Sequence, residues 1–395
     1  MKAAPAGGAR RLLLVLGGAL LVSGVAASRE PAPAPEEAIR KARALLAAGR
    51  PDEAAPLFEA AVAARPADLA ALTGLADAYA AVADPRAETA YERAIAVDAG
   101  NLPLRVAFAE YLWRDRRSEK GNAVMERVLA EAPGNAKLKA YYGVRLAEQG
   151  RFGQAVEQLD AARRGGLGDA DVLFYLGSAL WEIGRLEEAQ ARLQQSVLRA
   201  PEKAAARHRL GRLLLLRGNP DEAARELSLA ARVAPGSAEI GLDLGRALEA
   251  TGRTAEAEAA YRRALELDPG LPAAHYGLGT LLARNGRREE AQKHIALYRE
   301  EFQREQERRF RAGSRQAELN LGWTELEAGR AEAALAQFSR HPDDVEALRG
   351  AASALSKLGR HAQAVRALER ALLFDPDNRG LRYDLNRERE RSKAP

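Results

Sequence analysis

Apolar and small residues recur along this chain with a period of 34 residues. Leu176, Leu210 and Leu244 are separated by that distance, and a glycine follows each of them. Within one period the apolar positions follow two stretches of helical spacing, separated by a Gly and closed by a Pro. The pattern predicts two amphipathic helices per period, a first and a second helix, joined by short turns.

The glycine and proline residues that end the helices of each unit have physical causes. Gly184 and Gly218 stand where the first helix should end, because glycine readily adopts the left-handed conformation that terminates a helix. Pro201 and Pro235 close their units because proline cannot continue a helix. A single helical hairpin cannot cover its own apolar face, so the units are expected to stack.

The repeated motif resembles the tetratricopeptide repeat family. It reads GRLEEA from Gly184, GRTAEA from Gly252 and GRREEA from Gly286, and it is strongest over residues 170–271. The resemblance implies an all-α fold, a right-handed α-solenoid of about ten stacked units. The units over 69–101 and 102–135 fit less well, because both lack the glycine that ends the first helix.

The repeat boundaries predict five segments along the chain. Gly286 and Gly329 are 43 residues apart, which indicates an elongated, highly charged helix at about 287–313. That helix is either a tolerated insertion with a solvated face, or a docking arm or boundary between two sub-arrays. The segments are a signal peptide or N-terminal anchor (1–27), a Pro/Ala linker (28–36), repeats 1 to 8 (37–314), repeats 9 and 10 (315–377), and a capping helix and tail (378–395).

The first residues have the three parts of a secretory signal. Lys2, Arg10 and Arg11 precede the apolar run 12–22, and small residues lead to a cleavage point before Ser28. The alternative is an uncleaved inner-membrane tether through residues 12–28, which is short for a membrane span. Both interpretations export the body of the protein, so we expect a periplasmic location in a bacterial cell envelope.

Composition and charge argue against several functions. The net charge of +5 includes three positive charges in the predicted signal, and the remaining charges alternate along helices, so we expect no nucleic-acid binding. The chain has no cysteine, which excludes disulfides and thiol catalysis. Its five histidines lack metal-ligand spacing, and the glycines of 163–170 lack the residues of a phosphate loop. We therefore predict no enzyme activity, metal, cofactor or small-molecule substrate.

The resemblance to the family also implies where a partner binds. In tetratricopeptide repeats, fixed positions of each first helix line the concave face of the superhelix, and all three tryptophans fall on them. The paired Lys and Asn residues of a co-chaperone carboxylate clamp are absent from these columns. The alternative is that the aromatic residues only pack between neighbouring first helices. The predicted groove residues are Trp113, Arg114, Phe174, Trp181, His208, Arg212, Arg246, Tyr276, Trp323 and Arg349.

These features together predict a non-catalytic scaffold or adaptor of the cell envelope. Its concave groove would bind a peptide segment or a helix of a partner protein. Two alternatives remain open: a self-associating structural subunit of an envelope assembly, and a module that recruits substrate for a separate envelope enzyme.

Overall fold

The computed structural model describes residues 34–115 and 117–393, which form 20 α-helices and no strand. The first ten are α1 (Pro35–Ala47), α2 (Pro51–Ala64), α3 (Leu69–Ala81), α4 (Arg86–Val97), α5 (Leu102–Arg114), α6 (Ser118–Glu131), α7 (Ala136–Glu148), α8 (Phe152–Arg164), α9 (Ala170–Glu182) and α10 (Leu186–Arg199). They are followed by α11 (Ala204–Leu216), α12 (Pro220–Val233), α13 (Ala238–Ala250), α14 (Thr254–Leu267), α15 (Pro272–Arg284), α16 (Arg288–Glu327), α17 (Ala331–Phe338), α18 (Val345–Lys357), α19 (His361–Phe374) and α20 (Arg379–Lys393). Consecutive helices pair as hairpins and the hairpins stack, which confirms the predicted all-α solenoid.

The two helices of a unit begin and end by different means. Many first helices begin at a side-chain cap, as where the Asp169 carboxylate accepts a hydrogen bond from the Val172 amide at 2.9 Å. They end at a glycine in the left-handed region, such as Gly184 with φ 80°. In the turn between α3 and α4, Ala83 takes this place with φ 56° and is the only non-glycine among the described residues with positive φ. The turn geometry therefore persists in a unit whose sequence lacks the glycine.

Aromatic residues on second helices fit against glycines of the first helices on both sides. A Cβ atom placed on Gly245 or on Gly277 would lie 2.6 or 2.7 Å from the ring of Tyr261. Phe338 is held in the same manner by Gly322 and Gly350. One glycine on the preceding helix and one on the following helix thus make room for each ring, and this fit fixes the distance between adjacent units.

The elongated segment belongs to one continuous helix. The sequence predicted an extended helix at about 287–313 and a new repeat from 315, whereas α16 runs without a break from Arg288 to Glu327. No proline or left-handed glycine interrupts it, and Gly313 is helical. A helix of 40 residues is about 60 Å long.

The hydrophobic core is interrupted along α16. None of the residues 292–318 is buried, and separate core clusters end at Ala291 and begin at Leu319. Tyr298 occupies the position that Ala264 and Ala230 occupy in the preceding units, so a following helix cannot approach as closely. The interruption favours a boundary between two sub-arrays over a simple insertion. We call α1 to α15 with the start of α16 the N-terminal array, and the end of α16 with α17 to α20 the C-terminal array.

The C-terminal array folds back onto the second unit of the N-terminal array. A Cβ atom on Gly380 in α20 would lie 3.3 Å from the carbonyl oxygen of Val82, in the turn between α3 and α4. The described chain therefore closes on itself. The predicted signal or tether at 1–27 and most of the linker at 28–36 lie outside the described residues. None of the described helices combines the length and hydropathy needed to cross a bilayer.

Candidate functional site

The first helices of successive units lie side by side. In the N-terminal array α7 contacts α9, α11 contacts α13, and α13 contacts α15. We call the surface formed by the first helices the A-helix face. The predicted groove residues all lie on first helices, so this face is the candidate binding surface.

A buried carboxylate connects three of the predicted residues. Asp243 on α13 accepts hydrogen bonds from Arg246 at 3.0 Å and from the Nε2 atom of His208 at 2.9 Å, and its carboxylate lies 3.5 Å from Arg212. Burial acts to raise the pKa of Asp243, but the hydrogen bond from His208 and the charges of Arg246 and Arg212 hold that pKa below its ordinary value. Asp243 therefore stays ionised and fixes the three side chains in one cluster.

The indole of Trp181 extends this cluster towards the preceding unit. The guanidinium carbons of Arg209 and Arg212 lie 5.0 and 5.5 Å from the centroids of its rings, within the range of cation–π contacts. Trp181 is half-buried, while Arg212 is exposed. A contiguous strip from Trp181 to Arg246 thus presents an aromatic surface beside guanidinium groups.

The strip ends in an aromatic cleft at the end of the N-terminal array. The ring of Tyr276 lies 5.2 Å from that of Tyr298, which lies 5.7 Å from that of Phe302. Tyr276 comes from α15 and is exposed, whereas Tyr298 and Phe302 come from α16 and form the opposite wall. Arg246 and Tyr261 also line the cleft, whose volume is about 570 Å³. That size suits one or two large apolar side chains of a ligand.

Trp113 is a packing residue. Its indole nitrogen donates a hydrogen bond to the buried Asn122 at 2.9 Å, and its ring stacks on Tyr142 with an interplanar angle of 9°. A Cβ atom on Gly121 would lie 2.5 Å from the indole nitrogen. These contacts of Trp113 match the alternative in which an aromatic residue fills space between helices. Its neighbour Arg114 is exposed at the end of α5, away from the central strip.

The remaining predicted residues lie at the margins of the strip or in the C-terminal array. Phe174 is half-buried, and the Nζ atom of Lys203 lies 4.7 Å from its ring centroid. Trp323 packs edge-on against Phe338 at 5.1 Å, and Arg349 donates a hydrogen bond to Asp384 at 3.0 Å. The structure therefore brings Trp181, His208, Arg212, Arg246 and Tyr276 together and leaves the other five outside this strip.

Sequence reasoning missed Asp243, Arg209, Tyr298 and Phe302. A signal for Asp243 exists, because His208 and Asp243 are 35 residues apart and so are Arg349 and Asp384. A basic and an acidic residue that are 35 residues apart, one more than the repeat period, can therefore bond to each other between the first helices of adjacent units. Tyr298 and Phe302 carried no such signal, since their place in the cleft depends on the continuation of α16.

Two histidines, one on α15 and one on α16, form a pair. The Nδ1 atoms of His275 and His294 are 3.0 Å apart, and Nε2 of the buried His275 lies 3.0 Å from the carbonyl oxygen of Pro269. Because that oxygen can only accept, Nε2 of His275 carries the proton and Nδ1 accepts from His294. No group of three or more metal-ligating side chains occurs within 34–115 and 117–393, so the pair lacks further ligands there.

We expect His294 to contribute a loss of thermal stability as the pH drops from 7.5 to 5.5. Burial, the neighbouring His275 and the charge of Arg262 lower the pKa of His294, and Glu290 only partly opposes them. In the unfolded chain His294 binds a proton near pH 6.5, whereas in the folded chain it binds one only at a lower pH. Stability is therefore lost as the pH falls below about 6.5. Melting curves of a His294→Gln variant should show a smaller difference between the two pH values. His361→Gln is the matched control, since it removes a histidine that lies outside this pair, and it should not reduce the difference. An unchanged pH dependence in His294→Gln would contradict this account.

Comparison with known proteins identifies the repeat. One sequence profile described as tetratricopeptide repeat matches residues 45–87, 214–263 and 248–313. A second profile of the same description matches residues 143–191, 174–238 and 319–380. No curated protein matches the chain.

Solved structures similar to the chain include several MamA proteins. MamA MSR-1 is 26% identical over 43% of this chain and 98% of its own, with a TM-score of 0.40. MamA from residue 41 onwards of Desulfovibrio magneticus RS-1 is 24% identical over 42% of this chain and 95% of its own, with a TM-score of 0.40. MamA AMB-1 is 28% identical over 42% and 90%, with a TM-score of 0.39.

The assignment of the family rests on the profiles and the observed fold. Together the profile matches run over residues 45–87, 143–313 and 319–380, which is well over half of the chain. The helical hairpins stack as repeats in these segments, except where the core is interrupted along α16. The chain therefore belongs to the tetratricopeptide repeat family.

Proposed function

We propose that this protein is a non-catalytic scaffold that binds a peptide segment or a helix of a partner protein on its A-helix face. The observation that carries the proposal is the continuous strip from Trp181 through Arg212 and Arg246 to Tyr276. Trp, Tyr and Arg are the residue types enriched where binding energy concentrates in protein interfaces. Membership of the tetratricopeptide repeat family supports the same conclusion.

The chemistry of the strip indicates how a partner would be recognised. The cleft beside Tyr276 offers aromatic walls to a large apolar side chain, and the half-exposed Arg212 and Arg246 offer donors to carbonyl or carboxylate oxygens. The side chains are held in place by Asp243 before binding, so little conformational entropy is lost when the partner arrives. A segment that combines a large apolar residue with acidic or backbone acceptors fits this surface.

We propose a bacterial cell envelope as the setting. The basic residues Lys2, Arg10 and Arg11, the apolar run 12–22 and the small residues before Ser28 support export of the body. A cleaved signal would release the protein into the periplasm, and an uncleaved one would tether it to the inner membrane through residues 12–28. Mass spectrometry of the N-terminus of the mature protein decides between the two, since a chain that still begins at Met1 contradicts cleavage.

Crosslinked capture in the producing organism tests the binding function. The variant Trp181→Ala/Arg212→Ala/Tyr276→Ala removes the strip, and Leu198→Ala/Val233→Ala/Leu373→Ala removes exposed apolar side chains of second helices as a matched control. We expect a protein that is captured by the wild type and the control and lost by the strip variant. Equal capture by all three would contradict binding on the A-helix face.

The same capture separates the two alternatives. Recovery of only the protein crosslinked to itself, together with a mass that rises with concentration in light scattering, would favour a self-associating structural subunit. Capture of an envelope enzyme through the strip would favour a module that recruits substrate for that enzyme.

A further inference from the structure

The turn between α3 and α4 is in contact with the C-terminal helix α20. A Cβ atom on Gly380 would lie 3.7 Å from the Cβ atom of Ala83. The guanidinium of Arg86 donates a hydrogen bond to the hydroxyl of Tyr383 and lies 4.2 Å from the ring centroid of Tyr79. Residues 297 positions apart in the sequence thus join the two arrays.

Burial of this turn distinguishes it from the equivalent turns of other units. Val82 is 2% exposed and Asp84 is 0% exposed. The residue equivalent to Val82 in the fifth unit, Ile183, is 40% exposed, and the side chain of Arg253 in the turn of the seventh unit is 47% exposed. The difference arises because α20 packs against the turn between α3 and α4.

The turn lies at the A-helix face of the C-terminal array. Pro85 lines the same cavity of about 610 Å³ as Trp323, Arg349 and Arg387. Trp323 and Arg349 are two of the residues that the repeat pattern assigns to partner binding. A segment of the chain itself therefore occupies the surface where a partner of this array would bind.

Polar contacts hold the turn in place. Asp84 is paired with Arg86 at 2.8 Å, and the hydroxyl of Tyr383, which accepts a hydrogen bond from Arg86, faces the same carboxylate. The hydrophobic clusters on the two sides remain separate, one ending at Leu112 and the other beginning at Leu348. By contrast, one apolar core continues through the fourth to eighth units. Without a shared apolar core the contact is weak enough to be released.

We propose that the turn between α3 and α4 is an intramolecular plug on the A-helix face of the C-terminal array. A partner segment displaces it by offering the hydroxyl of Tyr383 a carboxylate in place of that of Asp84, and Arg86 leaves with the turn. This inference goes beyond the scaffold function proposed above, because it concerns a second binding surface and its control. The purified chain without any partner tests it, so its failure would leave the binding function of the strip unaffected.

A pair of engineered cysteines tests whether the plug closes within one molecule. The chain contains no cysteine, so Ala83→Cys/Gly380→Cys in the full-length protein introduces a unique pair at a suitable Cβ separation. Mild oxidation should give a disulfide within a monomer, seen as a faster band on a non-reducing gel. Absence of the disulfide, or formation of covalent dimers only, would overturn the intramolecular plug.

Release of the plug is tested in the same cysteine background. Arg86→Ala leaves the carboxylate of Asp84 without its cation in the closed form, so we expect severalfold slower disulfide formation and a larger radius of gyration. Arg253→Ala, which removes an exposed turn arginine paired only with Glu256, is the matched control and should change neither. Equal rates in both variants would overturn the role of Arg86 in holding the plug.

A peptide added in solution tests the proposed chemistry of the displacing partner. The probe is an amidated peptide with the sequence of residues 79–90, supplied at about the millimolar effective concentration of a tethered segment. It should slow disulfide formation, and the same peptide with Asn in place of the aspartate of position 84 should have little effect. Failure of both peptides, or equal effects of the two, would overturn displacement through a carboxylate.

Discussion

Tyr261→Ala is expected to lower the free energy of unfolding by about 3–5 kcal/mol. The ring is fully buried and lies between Gly245 and Gly277, so its removal empties a space that the backbones on both sides were shaped to surround. Neither glycine has a side chain that could fill the cavity. The expected result is therefore loss of contact between the seventh and eighth units rather than a local adjustment.

Chemical denaturation followed by circular dichroism and hydrogen exchange measures this effect. Hydrogen exchange is needed because repeat arrays often lose two-state behaviour. The largest increase in amide exchange over the wild type should appear in α14 and α15. Tyr261→Phe is the control: it keeps the ring and loses only the 2.8 Å hydrogen bond to Glu249, for a cost of about 1 kcal/mol. If alanine cost no more than phenylalanine, the interlocking of rings and glycines would not determine stacking.

Trp113→Ala is expected to cost about 3 kcal/mol of stability, whereas Trp181→Ala should cost about 1 kcal/mol. Trp113 stacks on Tyr142 and satisfies the buried amide of Asn122, which would keep only its contact with Gln149. Trp181 also packs against the core, but its polar neighbours are guanidinium groups, and that of Arg212 remains in solvent. Two tryptophans at the same position of their repeats therefore serve different purposes.

Denaturation of both variants under identical conditions tests this distinction. We expect the free energy of unfolding to be highest for the wild type, lower for Trp181→Ala and lowest for Trp113→Ala. Both variants should still be helical at low denaturant. Equal losses of stability would mean that Trp181 is also a packing residue. In that case the strip would lose its aromatic member, and the A-helix face would have to bind through Tyr276 and the arginines alone.

The regular part of the fold could be predicted from the sequence because each element of the repeat has a local cause. Gly184 ends its helix through its own backbone freedom, and Pro201 closes its unit through the geometry of its ring. These causes act within a few residues, and they recur. The sequence therefore predicted the hairpins, their stacking and the helix-terminating glycines, and the structure confirms the fold class.

The irregular features depend on contacts between distant residues. The helix α16 continues through Gly313, although the neighbouring Gly313 and Ser314 are also compatible with a turn, so the sequence did not predict one continuous helix. The contact between Arg86 and Tyr383 joins opposite ends of the chain. Half of the predicted groove residues form the strip, and the others have different neighbours. The position of a residue in the repeat specifies the helix face on which it lies, but not which side chains pack against that face.

Site-specific photo-crosslinking in the producing organism is the most direct test of the scaffold account. A photoreactive amino acid placed at Arg212 or Tyr276 probes the A-helix face, and the same residue at Leu198 or Leu373 probes exposed positions of second helices. The account predicts a discrete protein adduct from the first two positions that disappears when Trp181→Ala is added. Adducts only from Leu198 or Leu373, or equal adducts from all four positions, would contradict it.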